Sequence, residues 1–194
     1  MTATDDVTLG AGVRWLATKR VTLGVFALLL AVFGLELFVW WLFGPATWQY
    51  LFLADAMPSP AWVLAQFAHR SIEHLVTTSV VILVYGALLE GRLGTWTFLG
   101  FYLAAGYAST AAQLGEYVGG TPSLGTLGAS GAALGLVALF TTTTIAAAVG
   151  GGSYQTEADP VFAVSGVFIV GTLLVNDFVS GIQIAAGTAP FGHV

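Results

Sequence analysis

The sequence contains very little charge and no cysteine. Of its 194 residues, 8% are Asp, Glu, Lys or Arg, whereas about a quarter of the residues in a typical soluble domain are charged. So few charges cannot cover a water-exposed surface, and a soluble globular fold is therefore excluded. The absence of cysteine excludes a disulfide framework, a thiolate nucleophile and a cysteine-based metal site.

Positive charge is scarcer than negative charge. Five Lys and Arg stand against ten Asp and Glu, which gives a formal net charge of −5 and a pI near 4.8. This is the wrong sign for binding phosphates, so a nucleic-acid partner is excluded. Apolar residues, in contrast, make up 57% of the chain, and the mean hydropathy is +0.87. These values predict an all-α, multi-pass protein of the lipid bilayer.

Apolar runs long enough to cross a bilayer recur along the chain. A helix needs about 20 mostly apolar residues to span the hydrocarbon core. The predicted spans cover residues 21–43, 67–89, 95–114, 128–149 and 160–181, and a sixth begins near residue 185. Because the sequence ends at Val194, we expect the sixth helix to be truncated in this chain.

The placement of Lys and Arg predicts the orientation in the membrane. Cations cluster on what would be one side of it: Arg14, Lys19, Arg20 and Arg92. Cytoplasmic loops carry the excess of positive charge, so residues 1–20 are predicted to form a cytoplasmic N-terminal segment. The loops 44–66 and 115–127 contain no Lys or Arg and are predicted to lie outside. The starts of spans two, four and six then share one depth, in the outer third of the membrane.

All three histidines and one glycine-flanked serine fall at this depth. His69 and His74 lie near the start of span two, and His193 lies at the start of span six. Ser130 lies at the start of span four in Gly128-Ala129-Ser130-Gly131, where Gly128 and Gly131 permit close approach of another backbone. Polar side chains are costly in hydrocarbon, so each of these is a functional candidate.

This combination predicts nucleophilic catalysis. A serine hydroxyl becomes a nucleophile when a base, usually an imidazole, takes its proton, and the resulting oxyanion needs donors already in place. His193 is the one histidine outside span two, which makes it the candidate general base. The backbone N–H of Ser130 and the imidazole of His74 are candidate oxyanion donors, with Thr78 one helical turn after His74 on the same face.

The same residues have plainer interpretations. Small residues around a serine are common where membrane helices pack, and a histidine at a helix end is often an interfacial residue. Glu36, the single carboxylate of the first span, is best read as a group satisfied by a neighbouring helix. A small transporter or channel would have polar residues through the full depth of the bundle, whereas here they cluster near one face.

Four elements of the sequence occur in a specific order. They are His69-Arg70-Ser71-Ile72-Glu73-His74, Glu90-Gly91-Arg92-Leu93-Gly94, Gly128-Ala129-Ser130-Gly131 and Gly192-His193. Together they resemble the rhomboid family of intramembrane serine proteases, over residues 21–194. The resemblance implies a six-helix rhomboid-type bundle in the plasma membrane and a Ser130–His193 dyad without an acid. It also implies cleavage of transmembrane protein substrates near the outer face.

The resemblance implies neither a metal nor another cofactor. His69 and His74 are five residues apart, which does not match the H-E-x-x-H zinc pattern. Two positions depart from the family pattern. Thr78 stands where the family commonly has Asn, and Leu134 stands where an aromatic residue is frequent. These departures leave open a second interpretation, a rhomboid-like pseudoprotease that binds membrane-protein clients without cleaving them.

Overall fold

The computed structural model describes residues 9–55, 57, 59–116, 125–152 and 156–185. Over these residues the chain is all-helical, with an isolated β-bridge between Ala54 and Thr126. The helices are α1 (Leu9–Ala17), α2 (Arg20–Phe52), α3 (Ala61–Leu64), α4 (Ile72–Leu93), α5 (Thr95–Glu116), α6 (Ser130–Val149) and α7 (Asp159–Ala185). The predicted all-α, multi-pass membrane fold is confirmed.

The helices coincide with the apolar runs of the sequence. In the part of the chain that the structure describes, α2, α4 and α6 are long and apolar enough to cross a membrane. Helices α5 and α7 occupy the runs predicted as spans three and five. The start of a sixth span near residue 185 and His193 lie at or beyond the end of α7, and residues 186–194 are outside the described residues.

Helix α2 bends at Gly44. This glycine has φ +79° and ψ 178°, a backbone conformation that L side chains rarely adopt, and Pro45 follows it. Proline is accepted in the first turn of a helix because its missing N–H would have no partner there. A second helical segment therefore runs from 45 to 52, where the sequence predicted loop, and that loop prediction is wrong for these residues.

Helix α4 begins at Ile72, five residues after the start of the predicted second span. Ser71 has an extended backbone, and its side chain accepts a hydrogen bond from the backbone N–H of His74 at 3.2 Å, which caps the helix. The residues between Ile82 and Gly86 form a π-helical turn, and Gly94 ends the helix with φ +72°. His69 consequently precedes the helix instead of forming part of it.

The end of α4 is joined to the start of α2 by Glu90. Its carboxylate accepts hydrogen bonds from the backbone N–H of Thr22 at 2.8 Å, from the Thr22 hydroxyl at 2.7 Å and from the backbone N–H of Val21 at 3.2 Å. These N–H groups belong to the first turn of α2, which has no intrahelical partners for them. Glu90 therefore caps α2 and fixes the two helices antiparallel to each other.

Helices α5 and α6 cross closely at small residues. A Cβ added to Gly135 would lie 2.6 Å from the Cβ of Ala105, and one added to Gly131 would collide with the side chain of Ser109. The close approach of two backbones at such positions is the usual packing mode in membranes. It fixes the start of α6, and with it Ser130, against α5.

The chain divides into two compact units between Leu136 and Val137, inside α6. The first unit holds α1 to α5 and the start of α6. In the second unit the rest of α6 packs against α7, where Gly166 lies against the side chains of Val137 and Thr141. Asp159, the first residue of α7, accepts a hydrogen bond from the Thr156 hydroxyl at 2.6 Å.

Candidate active site

Ser130 is the first residue of α6, and the segment before it is held by backbone hydrogen bonds. Thr126 exchanges two of these with Ala54, at 2.7 and 3.0 Å, and the N–H of Gly128 donates to the carbonyl of Ala65 at 2.8 Å. The polypeptide therefore approaches the serine along a defined path. The N–H groups at the start of a helix have no intrahelical partners, so they are available to a developing negative charge.

Gly128 brings His74 and Ser130 to one place. A Cβ added at Gly128 would lie 2.7 Å from Cε1 of His74, 3.3 Å from its Nε2 and 3.4 Å from the Ser130 Oγ. The glycine also has φ +129°, which a side chain would strain. A larger residue would therefore displace the imidazole, the hydroxyl or both, and this explains why a glycine opens the Gly128-Ala129-Ser130-Gly131 motif.

The imidazole of His74 is positioned by its own helix and by His69. Its backbone N–H is bound by the cap residue Ser71, and its ring meets the His69 ring edge-to-face, with centroids 5.1 Å apart and planes at 68°. The ring of His69 is 1% exposed. Burial, reinforced by the neighbouring His74, lowers the pKa of His69 to about 4, with a weaker opposing effect from the carbonyl of Phe67. His69 is therefore neutral near pH 7.

Glu36 anchors this histidine pair from the first spanning helix. The carboxylate is buried and accepts a hydrogen bond from the backbone N–H of His69 at 2.8 Å. This hydrogen bond agrees with the interpretation that a neighbouring element satisfies the Glu36 carboxylate. It ties α2 to the segment that leads into α4, close to the histidine rings.

A cavity of about 410 Å³ borders His74. Its walls come from three segments that are far apart in the chain: Trp48, Gln49 and Leu53, then Arg70 and His74, then Gly125, Thr126 and Leu127. Three of these side chains can bind water or a peptide backbone, because Gln49, Arg70 and Thr126 carry hydrogen-bonding groups. A polar substrate group can thus reach the vicinity of His74.

Thr78 lies one turn after His74 and is 4% exposed, whereas its neighbour Thr77 is exposed. A buried hydroxyl on the same face as His74 is compatible with its assignment as a further oxyanion donor. Leu134 is half-buried one turn after Ser130. His193 belongs to the residues outside those that the structure describes.

Several residues at this site were not predicted from the sequence. The loop 44–66 was predicted to lie outside the membrane, and nothing in its composition indicated that Trp48 and Gln49 line a cavity with His74. Gln66 is buried and donates from Nε2 to the Thr110 hydroxyl at 2.7 Å, which links the segment before α4 to α5. Its only signal in the sequence is a lone amide within an otherwise apolar stretch.

The sequence of this chain matches the model of a known protein family. The family model described as Rhomboid domain matches residues 59–194, more than half of the chain. The chain belongs to the rhomboid family. Rhomboids are a family of intramembrane proteases, and the match spans the histidine pair, Ser130 and His193. Comparisons with curated proteins and with solved structures find no match for this rhomboid.

Proposed function

We propose that this rhomboid is an intramembrane serine endopeptidase that cleaves transmembrane protein substrates. Ser130 is the nucleophile, and His193 is the general base and then the general acid. The observation that carries the proposal is the meeting of the His74 imidazole and the Ser130 hydroxyl on either side of Gly128. A histidine side chain near a serine at a helix start can stabilise the oxyanion that acyl transfer forms.

The proposed reaction has two steps. The Ser130 Oγ bonds to the carbonyl carbon of the scissile peptide while His193 takes the hydroxyl proton and then gives it to the leaving amine. Water, activated by the same histidine, attacks the acyl-enzyme and releases Ser130. The oxyanion of each tetrahedral intermediate is stabilised by the Ser130 backbone N–H and by His74, with Thr78 as a further donor. No metal or other cofactor takes part in this scheme.

The cavity next to His74 supports the access that this chemistry needs. Hydrolysis inside a membrane requires water at the serine, and a cavity of about 410 Å³ with polar walls borders His74. We place His74 and Ser130 at the outer face of the plasma membrane. The reason is that residues 1–20 carry most of the positive charge and would be cytoplasmic. The predicted spans belong to the same proposal.

Proteolysis in liposomes tests the function. The full chain is reconstituted with a model substrate that has one transmembrane helix, and cleavage is followed by gel mobility and mass of the products. Ser130→Ala and His193→Ala should each abolish cleavage. Ser109→Ala is the matched control, because Ser109 lies on α5 against Gly131 and is assigned no chemical role. Cleavage that survives in Ser130→Ala would disprove the assignment.

A pseudoprotease is the second candidate, and the residues Thr78 and Leu134 favour it because both depart from the family pattern. In that case the wild-type chain would co-purify with the model substrate in detergent without cutting it. The same liposome assay therefore separates the two functions: cleavage dependent on Ser130 supports the protease, and stable binding without product supports the pseudoprotease.

Orientation is tested separately. A reporter fused after residue 119 should be extracellular, and one fused after Gly151 should be cytoplasmic, if the N-terminus is cytoplasmic. The reverse pattern would place Ser130 near the inner face and contradict the proposed site of cleavage.

A further inference from the structure

A second cavity, of about 540 Å³, lies between α2 and the segment that leads into α4. We call it the Glu36 cavity. Its walls combine Glu36, His69 and Arg70 with Trp40 and Trp48. Pockets of this size, with mostly apolar walls and a few polar groups, are typical of small-ligand sites. The proposed cleavage reaction makes no use of this cavity.

The Glu36 cavity lies at the depth of lipid headgroups. Glu36 follows Arg20 by sixteen residues in α2, which places it about 24 Å along the helix at 1.5 Å per residue, close to the far boundary of a hydrocarbon core about 30 Å thick. Apolar side chains on its walls are more than half exposed, namely Leu37, Trp40 and Ile72. In a spanning protein such side chains face lipid, so the cavity opens toward the bilayer.

The buried wall of the cavity contains the imidazole of His69. His69 is 1% exposed, and neither of its ring nitrogens forms a hydrogen bond of normal geometry with a residue that the structure describes. Buried polar atoms are nearly always paired in native proteins, so an orphaned pair calls for a ligand or water. A neutral imidazole has one acceptor nitrogen, which suits a ligand that donates an N–H.

Opposite charges on the walls further restrict the ligand. Glu36 is a buried carboxylate with acceptor capacity beyond the N–H of His69. The indoles of Trp40 and Trp48 meet edge-to-face 5.7 Å apart, and aromatic faces attract ammonium groups. Arg70 contributes a guanidinium, which suits phosphate. A ligand with an ammonium and a phosphate a few bonds apart complements both charges.

We propose that the Glu36 cavity binds the headgroup of phosphatidylethanolamine. The primary ammonium donates to Glu36 and to the acceptor nitrogen of His69, against the two indoles, and the phosphate binds Arg70. The quaternary ammonium of phosphatidylcholine has no N–H to donate, and phosphatidylglycerol has no cation to offer Glu36. This site is independent of the proposed protease activity, because it concerns lipid binding alone.

Native mass spectrometry of the delipidated full chain in detergent tests the site. Phosphatidylethanolamine, phosphatidylcholine and phosphatidylglycerol with identical acyl chains are titrated in separate experiments. We expect phosphatidylethanolamine to bind on the order of tenfold more tightly than either other lipid, a factor that corresponds to about 1.4 kcal/mol. Equal affinity for the three lipids, or a preference for phosphatidylglycerol, would overturn the proposal.

Two variants locate the binding. Glu36→Gln keeps an acceptor for the backbone N–H of His69 but removes the negative charge. It should lower the affinity for phosphatidylethanolamine to that for phosphatidylcholine. Arg70→Gln, at an exposed position, should lower the affinity for both lipids, because both carry the phosphate. Glu157→Gln and Arg14→Gln make the same chemical changes at exposed positions outside the cavity, and should bind like wild type.

Circular dichroism confirms that each variant is folded before the lipids are compared. If Glu36→Gln does not fold, the wild-type lipid preference and Arg70→Gln still decide the question. A folded Glu36→Gln that keeps the full preference for phosphatidylethanolamine, or a folded Arg70→Gln with unchanged affinity, would place the bound lipid elsewhere and contradict the proposal.

Discussion

Two glutamates lie at opposite ends of the contact between α2 and α4, and their surroundings differ. Glu90 accepts three hydrogen bonds from Val21 and Thr22, and it caps a helix. Glu36 accepts a hydrogen bond from the backbone of His69 and lines a cavity of about 540 Å³. Glu90 thus caps a helix at one end of the contact, whereas Glu36 lines a cavity at the other end.

The difference separates the close-packed end of the helix pair from the end that holds the candidate site. Near Glu90 the packing is tight, since a Cβ added to Gly86 would lie 3.1 Å from the Thr22 side chain and 3.3 Å from Phe98. At the other end the structure has Gly128 at φ +129°, one cavity beside His74 and a second beside His69, whose ring nitrogens form no hydrogen bond of normal geometry with the described residues. Local conflicts with ideal packing are expected where a protein binds or reacts. Substitutions near Ser130 should therefore change activity, and substitutions near Glu90 should change stability.

Outside the Ser130–His193 dyad, the largest effect is expected at His74. Removal of one oxyanion donor costs about 10²–10³ in turnover in well-studied hydrolases, so His74→Ala should lower kcat by that factor in the liposome assay. His74→Gln retains an N–H donor at similar reach and should recover part of the loss. An active His74→Ala variant with wild-type kcat would remove His74 from the oxyanion site while leaving the Ser130–His193 dyad in place.

Gly128→Ala tests the close approach at the motif. The added Cβ would collide with the His74 ring at 2.7 Å, and a displacement of about 1 Å at a catalytic group can cost about 10²-fold in rate. Gly94→Ala is the matched control, because Gly94 also has positive φ but has open space around its Cβ position.

For Gly94→Ala we expect a stability loss of about 1–2 kcal/mol from the backbone conformation with normal cleavage by the folded fraction. Thermal unfolding in detergent and the cleavage rate are measured for both variants. Equal losses of activity in the two would show that positive φ, and not the contact with His74, explains the sensitivity of Gly128.

A smaller effect is expected at Thr78. Thr78→Val keeps the shape and removes the hydroxyl, so kcat should fall about tenfold with little change in KM if the hydroxyl stabilises the transition state. Thr77→Val at the exposed neighbouring position is the control. Thr78→Asn restores the common family residue and should hold or raise kcat. A silent Thr78→Val would leave the oxyanion to His74 and the backbone alone.

The smallest change is expected for Glu90→Gln. Hydrogen bonds to a charged group contribute about 1.5–3 kcal/mol each, but glutamine keeps two acceptor lone pairs, so we expect a net loss of about 1–2 kcal/mol in unfolding free energy. Cleavage by the folded protein should not change. A loss of activity without a loss of stability would contradict the separation of the two ends.

The sequence predicted the helices better than their boundaries. Hydropathy located each apolar run, but it placed the start of span two at residue 67, because residues 65–68 are nearly as apolar as the helix that follows. The actual start is fixed by the Ser71 side chain, whose hydrogen bond to the His74 N–H is a geometric feature that average hydropathy does not detect. The helix at 45–52 was missed because Pro45 indicates a break, and here it begins a new turn after Gly44.

Within the candidate site, the sequence indicated residues only where a motif contained them. Gly128, Ser130 and His74 could be found because they lie in short patterns with a chemical reason for their order. The bonds from Thr126 to Ala54 and from Gly128 to Ala65 involve backbone groups alone, which any residue can supply. The sequence therefore carries no signal for them, or for the cavity in which Thr126 and Leu127 meet Trp48 and Gln49.

The most direct test of the central claim is covalent labelling of the serine. The full chain in detergent is treated with a fluorophosphonate probe, and the modified residue is identified by peptide mass spectrometry. We expect one adduct, on Ser130, and its loss in Ser130→Ala and His193→Ala but not in Ser109→Ala. An adduct on a different serine, or equal labelling of wild type and Ser130→Ala, would contradict the assignment of Ser130 as the nucleophile.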